Sequence, residues 1–253
     1  MTVGRDELRA ALDAELRVSA FTDYCPNGLQ VEGRDNIDVI VSGVTACQAL
    51  LDKAVELDAD AVLVHHGYFW RGEDERLVGM KAKRVKTLLQ ANINLFAYHL
   101  PLDCHPTMGN NAGLARALGV REWRGIDPDD STHPVFCGSF DSGTRLSDIV
   151  TRLESELQRQ VLAVGQPELV IGSGAWCTGG GQGYIDEAAA HGADLYVTGE
   201  VSEQTIHVAR ERGISFIAAG HHATERFGPR SLGEWVSEQF GVRHHFVDIN
   251  NPA

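Results

Sequence analysis

The chain has 253 residues, 43% hydrophobic and 23% charged, with 22 Lys+Arg against 35 Asp+Glu for a formal charge of −13. At this length roughly 70–75% of the unfolded surface can be buried, so neither disulfides nor a metal is needed merely to hold a core. The composition excludes a disordered, collagenous or coiled-coil chain, and the charge argues against non-specific nucleic-acid binding; the longest uncharged stretch, Leu169 to Ile185, contains six glycines and is too short to span a bilayer.

Leu8, Ala11, Leu12 and Leu16 recur at helical spacing among charged residues, which predicts a first helix rather than the apolar run of a signal peptide, and hence a cytoplasmic protein. After a loop over Thr22 to Gly28, Val39 to Val44 reads as a β-branched strand and Ala46 to Leu57 as a helix. Ala61 to Val64 is a second strand ending in His65-His66-Gly67, Lys81 to Gln90 a helix, Asn94 to His99 a third strand, and Asn110 to Leu118 a helix stopped by Gly119. Polar residues from Arg121 to Asp130 form a loop and the one internal boundary. Beyond it, strands are expected at Val135 to Phe140, Val161 to Val164, Leu169 to Gly172, Leu195 to Thr198 and Ile214 to Ala219. Helices are expected at Leu146 to Gln160, after the Gly179–Gly183 turn as far as His191, at Ser202 to Arg212, and from Pro229, with a terminal strand at Val242 to Ile249. The five cysteines are widely spaced and lack a C-x-x-C, so they read as small core residues.

Strands alternating with helices point to an α/β fold with mainly parallel sheets. Asp60-Ala-Val-Leu-Val-His-His66 matches Asp194-Leu-Tyr-Val-Thr-Gly-Glu200 in length and polarity, and the following strands end in His99-x-x-x-Asp103 and His221-x-x-x-Glu225. The expectation is two related α/β halves, residues 1–125 and 126–253, with a metal site between them at the carboxyl ends of the strands. The first half would carry an insertion near Tyr68 to Leu77.

Open α/β sheets gather ligands at the carboxyl ends of their strands, and His65-His66, His99-to-Asp103 and His221-to-Glu225 all fall there. Imidazole with carboxylate, and no nearby thiolate, suits Zn, Fe, Mn or Ni. About three histidines and two carboxylates are too many for one catalytic ion with an open position, so two ions sharing a carboxylate fit the count better. Each piece alone has a plainer reading. A His-His pair is commonly structural or solvated, and His244-His245 reads as an exposed strand or a subunit contact.

Val64-His-His-Gly67, Tyr98-His-Leu-Pro-Leu-Asp103 with His105-Pro106 and Gly109-Asn-Asn111, and Gly220-His-His-Ala-Thr-Glu225 together resemble the dinuclear-metal family of GTP cyclohydrolase 1 type 2 homologs, also called NIF-three-like proteins. The likeness runs from about Asp23 to the C-terminus. It implies two divalent ions per subunit (Zn, Fe or Mn) on His65, His66, Asp103, His221 and Glu225, with Glu225 shared. It also implies a toroidal homohexamer, a trimer of dimers, and a short family member without the inserted middle domain.

His99 is then a candidate to orient Asp103 or handle protons, the alternative being a loop cap; Glu200 is a candidate general base or supporting group, the alternative being a helix start. Gly179 to Gly183 either cradles a phosphate or is a tight turn, and no P-loop motif is present. Tyr68, Phe69 and Trp70 would wall a substrate pocket or pack on a neighbouring subunit. Arg226 would hold a substrate anion or pair with a carboxylate. The leading expectation is a two-metal hydrolase acting on a small polar or nucleotide-like substrate, with guanine suggested by the family name alone. The rival is a non-catalytic ring that stores or delivers metal or serves as a scaffold. No nucleic-acid or membrane partner is expected.

Overall fold

The computed structural model describes residues 2–253. In chain order the elements are β1 (Val3–Gly4), α1 (Arg5–Glu15), β2 (Gly28–Val31), β3 (Asn36–Ile37), β4 (Val39–Thr45), α2 (Gln48–Glu56), β5 (Ala61–His66), α3 (Gly79–Ala91), β6 (Asn94–Ala97), α4 (Leu100–Asp103) and α5 (Asn110–Leu118). There follow β7 (Trp123–Gly125), β8 (Phe136–Ser139), α6 (Leu146–Leu157), β9 (Leu162–Val164), β10 (Ser173–Cys177), α7 (Ile185–Ala190), β11 (Leu195–Thr198), α8 (Glu203–Arg212), β12 (Ser215–Ala218), α9 (His221–Thr224), α10 (Phe227–Phe240) and β13 (Arg243–Phe246). No helix among the described residues is long and apolar enough to cross a membrane.

The chain forms two compact units, Met1–Leu102 with Gly228–Asn250, and Asp103–Phe227 with Asn251–Ala253. The first is built on a five-stranded sheet in the order β13-β4-β5-β6-β2, parallel except for β2. Its strands β4 and β5 are buried along nearly their whole length because helices cover them, which is why β5 opens on an unbroken apolar run, Ala61 to Val64, and β4 places only the small Ser42 and Gly43 among its apolar residues before Thr45. Leu50, Leu51 and Ala54 from α2 and Val85 and Leu88 from α3 supply the covering stripe over Val41, Val62 and Leu95.

The second unit holds a six-stranded sheet, β7-β8-β10-β11-β12-β9, in which β10, β11 and β12 are parallel and the outer pairings antiparallel. Strand alternation splits its core in two. Trp176, Leu195, Val197 and Ile217 face α5 and α6, while Ala175, Cys177, Tyr196 and Phe216 face α7 and α8. Helix α6 buries Leu146, Ile149, Leu153 and Leu157 at helical intervals, and α8 is capped by Ser202, whose hydroxyl accepts from Thr205 N.

The expected division at residue 125 differs from the units found. The chain leaves the first unit at Leu102, and α10 (from Gly228) with β13 returns to it, since β13 pairs in parallel with β4. A partner about two hundred residues away leaves no mark on the local pattern of either strand. Two further expectations shift. The strand placed at Leu169 to Gly172 lies at Ser173–Cys177, with only an isolated bridge from Val170 to Arg145, and the loop over Arg121 to Asp130 contains β7.

The strand–helix–strand order recurs, β4-α2-β5-α3-β6 in one unit and β10-α7-β11-α8-β12 in the other. Asp60 accepts from the backbone N–H groups of Asp38 and Val39 at the start of β4, and Asp194 does the same for Gly172 and Ser173 at the start of β10. Tyr98 N bonds Val64 O as Ala219 N bonds Thr198 O. By that equivalence His99 is the counterpart of Gly220, so the two His-x-x-x-acid segments are offset by one residue: His99 precedes its helical turn, and His221 begins its own.

Asp60 is buried and also receives Arg34 Nη1 at 2.8 Å, whereas Asp194 is exposed. Asp60→Ala should therefore cost about 2 kcal/mol in urea unfolding, and Asp194→Ala under about 1 kcal/mol, because water reaches the strand end in the second case. Equal losses would mean that burial does not set the difference.

Candidate functional site

In the first unit, β5 and β6 end side by side, and their continuations bring three imidazoles together. One ring nitrogen from each of His65, His66 and His99 lies within 4.8 Å of the others. The ring of His65 is 4.5 Å from that of His66 and 5.0 Å from that of His99, centroid to centroid. His65 is fully buried, and its Nδ1 is 3.0 Å from the Tyr98 carbonyl, which can only accept. Nδ1 is therefore the protonated nitrogen, and Nε2 carries the lone pair. Thr45 Oγ1 stands 3.3 Å from His66 Nδ1. His99 Nδ1 bonds Asp23 Oδ1 at 2.7 Å.

Asp23 carries no signal in the sequence, where it sits in a loop 76 residues from His99. Burial works to raise its pKa, but the hydrogen bond and charge of His99, with help from Asn27 and the Tyr24 N–H, bring it down to about 2. Trp70 stands edge-on to His99, 4.9 Å between centroids at 84°, and 5.8 Å from His66. Of its two aromatic neighbours, Tyr68 is buried with its hydroxyl donating to the Ala46 carbonyl, and Phe69 is partly exposed with φ at +66°, a strained value for a bulky residue.

In the second unit, Asp103, Glu200, His221 and Glu225 come together. His221 lies between two carboxylates, Nδ1 at 2.7 Å from Glu200 Oε1 and Nε2 at 3.2 Å from Glu225 Oε2. The hydrogen bond to Glu225 raises the His221 pKa most; burial opposes it, and the remaining Glu225 and Glu200 interactions bring it to about 9. A carboxylate oxygen of Asp103 lies within 4.8 Å of one from Glu225, and both side chains are buried. Asp103 Oδ1 accepts from Asn110 Nδ2 at 2.8 Å and Thr178 Oγ1 at 3.1 Å, which fixes the carboxylate.

The turn after β10 makes room for these acids. Gly179 has φ at +63°, and a Cβ there would overlap Glu225 Oε1; a Cβ on Gly199 would lie 2.7 Å from His221 Cα. Gly179 N donates to Thr224 Oγ1 and Gly181 N to Thr198 Oγ1, so two of the turn's N–H groups are spent inside the fold rather than turned outward to a phosphate. Thr178, Thr198 and Thr224 have no sequence signal beyond their position at strand and helix ends.

The family model Duf34/NIF3 (NGG1p interacting factor 3) matches residues 3–252 of this chain. The chain belongs to the DUF34/NIF3 family. A Pseudomonas aeruginosa relative named GTP cyclohydrolase 1 type 2 homolog is 54% identical over 255 residues, covering 100% of both chains. Among solved structures, one described as protein ybgI of unknown function superposes with a TM-score of 0.93 at 51% identity, covering 99% of this chain and 100% of that one. TTHA1606 from Thermus thermophilus superposes with a TM-score of 0.88 at 35% identity, again over 99% and 100%. The α/β fold with two sheets is thus the DUF34/NIF3 fold, and this chain's groups of imidazoles and carboxylates could hold metal ions.

Arg226 Nη2 donates to the Leu157 carbonyl at 2.8 Å, bracing the end of α6. His244, half-buried on β13, is 2.7 Å from Ser42 Oγ, and burial followed by the charge of His245 lowers its pKa to about 4. His245 is exposed. All five cysteines are thiols rather than disulfides, four of them buried, and burial pushes Cys177 far above the ordinary thiol range.

Proposed function

We propose that His65, His66, Asp103, His221 and Glu225 hold two divalent ions and that the protein is a metal-dependent hydrolase acting on a small polar or nucleotide-like substrate. The observation that carries this reading is the support behind the ligand-type side chains. The Tyr98 carbonyl fixes the tautomer of His65, Asn110 and Thr178 fix Asp103, and Glu200 fixes His221. Metal ligands need such partners to be oriented and basic, whereas two buried carboxylates as close as Asp103 and Glu225 are costly without a cation to balance them. The donors fit the group: nitrogen and oxygen without thiolate suits Zn, Fe or Mn, and five donors suit two ions that share Glu225.

Ions bound there would supply an acidified water and a polarised substrate oxygen or nitrogen. The chain's own residues do the rest. Glu200 keeps Nδ1 of His221 engaged and turns Nε2 toward Glu225. His99, with Nδ1 taken by Asp23, offers Nε2 as an acceptor beside His65 and His66, the position a proton-handling group needs. Trp70 packs edge-on against His99 at that corner. The name carried by the P. aeruginosa relative suggests a guanine nucleotide, while the donor set itself calls for a small polar substrate.

The test is purification without a metal-affinity column, followed by elemental analysis per subunit before and after a mild chelator. About two equivalents of one metal that resist removal are expected. Zero, or a labile mixture, would transfer the reading to reversible metal storage or delivery.

A further inference from the structure

Asp23 and His99 form a pair that the five-ligand reading leaves unused. Asp23 is not itself a ligand, because all four of its lone-pair positions are taken. Oδ1 accepts from His99 Nδ1 at 2.7 Å and Tyr24 N at 2.6 Å, and Oδ2 accepts from Asn27 Nδ2 at 2.8 Å and Leu100 N at 3.0 Å. Neighbouring Cys25 is buried, and burial with the Asp23 charge pushes its thiol up to about 12. The carboxylate is instead a fixed socket for the imidazole. The His99 backbone is pinned from the same loop, its N–H donating to Asn27 Oδ1 at 2.7 Å. Its ring plane is set by Trp70 at 4.9 Å and Tyr24 at 6.2 Å, both edge-on.

A carboxylate can only accept, so the proton of a neutral His99 is on Nδ1 and the lone pair on Nε2. The nitrogen His99 has left to offer its two imidazole neighbours is therefore an acceptor. We propose that Asp23 is a positioning residue: it locks His99 as the Nδ1–H tautomer, so that Nε2 accepts a hydrogen bond from an N–H or O–H of the group bound beside His65 and His66. This rests on the metal reading above and deepens it by naming what the bound molecule must carry: a hydrogen-bond donor close to its metal-binding atom, as in an amide, an amidine or a hydroxyl. A group that only accepts would be refused, since the two lone pairs would face each other.

The test combines three variants with two probes. Asp23→Asn keeps the shape but turns the socket partly into a donor. His99→Gln places a polar atom near the Nε2 position, and His99→Asn near the Nδ1 position only. The first readout is the 15N shift of the His99 ring in metal-free protein, which needs neither metal nor turnover. Wild type should show Nδ1–H, and Asp23→Asn should lose that signature; an Nε2–H signal in wild type, or no change in the variant, overturns the proposal whatever the metal content.

The second readout is binding, to cobalt-loaded protein, of acetohydroxamate, which carries an N–H, against N-methylacetohydroxamate, which does not. Asp23→Asn and His99→Asn should weaken acetohydroxamate about tenfold and leave the N-methyl probe unchanged, while His99→Gln restores most of the difference. Equal weakening of both probes would mean a steric or folding effect, and loss of a metal equivalent in His99→Gln would make His99 a ligand; either result overturns the proposal. If wild type binds no cobalt, the metal reading fails, and the tautomer readout still decides the role of Asp23.

Discussion

On the proposed dinuclear site, Glu225→Gln is expected to cut bound metal from about two equivalents to one or fewer and to weaken what remains by at least about a hundredfold, because it would remove a directly ligating charge rather than a supporting contact. The substitution preserves volume, which matters at a residue only 3% exposed whose Oε1 occupies the space left by the absent side chain of Gly179. What changes is chemistry. An amide has one acceptor oxygen instead of two and no charge, so it cannot bridge two ions. His221 also loses the neighbour that raises its pKa most. Elemental analysis of dialysed protein is the measurement, with circular dichroism to establish that the variant is folded. Unchanged stoichiometry in a folded variant would remove Glu225 from the ligand set and leave the dinuclear proposal without its shared carboxylate.

What is legible in the sequence follows the range of the forces involved. Ala61 to His66 can be read there because a buried strand needs an unbroken apolar run and a strand end needs polar residues. The same logic exposes His221 and Glu225 after β12, and Glu200 after β11. Strand β10 lies four residues beyond its expected place, since Ser173-Gly174-Ala175 lacks the bulk that marks a strand, and those small residues are there because neighbouring elements fill the space: a Cβ on Gly174 would lie 2.8 Å from the ring of Phe140. Asp23 is invisible for a different reason. Its meaning comes wholly from donors at Leu100 and His99, brought to it by an antiparallel β2–β6 pairing in which β2 has no strand signature of its own. Spacing alone reveals the two His-x-x-x-acid segments, but not that one histidine precedes its helical turn and the other begins it.

The stability of chelated protein should fall as pH rises from about 6.5 to 9, by about 1–2 kcal/mol once solvent screening of a part-exposed ring is allowed for. The sign follows from His221, whose pKa in the folded state, about 9, lies above its ordinary 6.5. The folded form binds the extra proton more tightly, so its contribution is complete below pH 6.5 and disappears as pH passes through 9. Asp23 works in the other direction and at another place. Its pKa is lowered from 3.8 to about 2, so its contribution is present above pH 3.8 and is lost only as pH falls through 2, leaving the neutral window to His221. Glu200→Gln should flatten the alkaline slope by removing one of the two carboxylates, at 2.7 Å from Nδ1, while keeping Glu225. If His221 is one of the ligands, metal-loaded protein should show the reverse trend over the same range, because the ring would have to give up a proton to bind, and binding tightens as that proton becomes easier to remove. Urea titrations of chelated and loaded protein at intervals from pH 6 to 9.5 would separate the two slopes. Parallel slopes would mean that His221 exchanges no proton for metal, which would exclude it from the ligand set while leaving its ion pair with Glu200 intact.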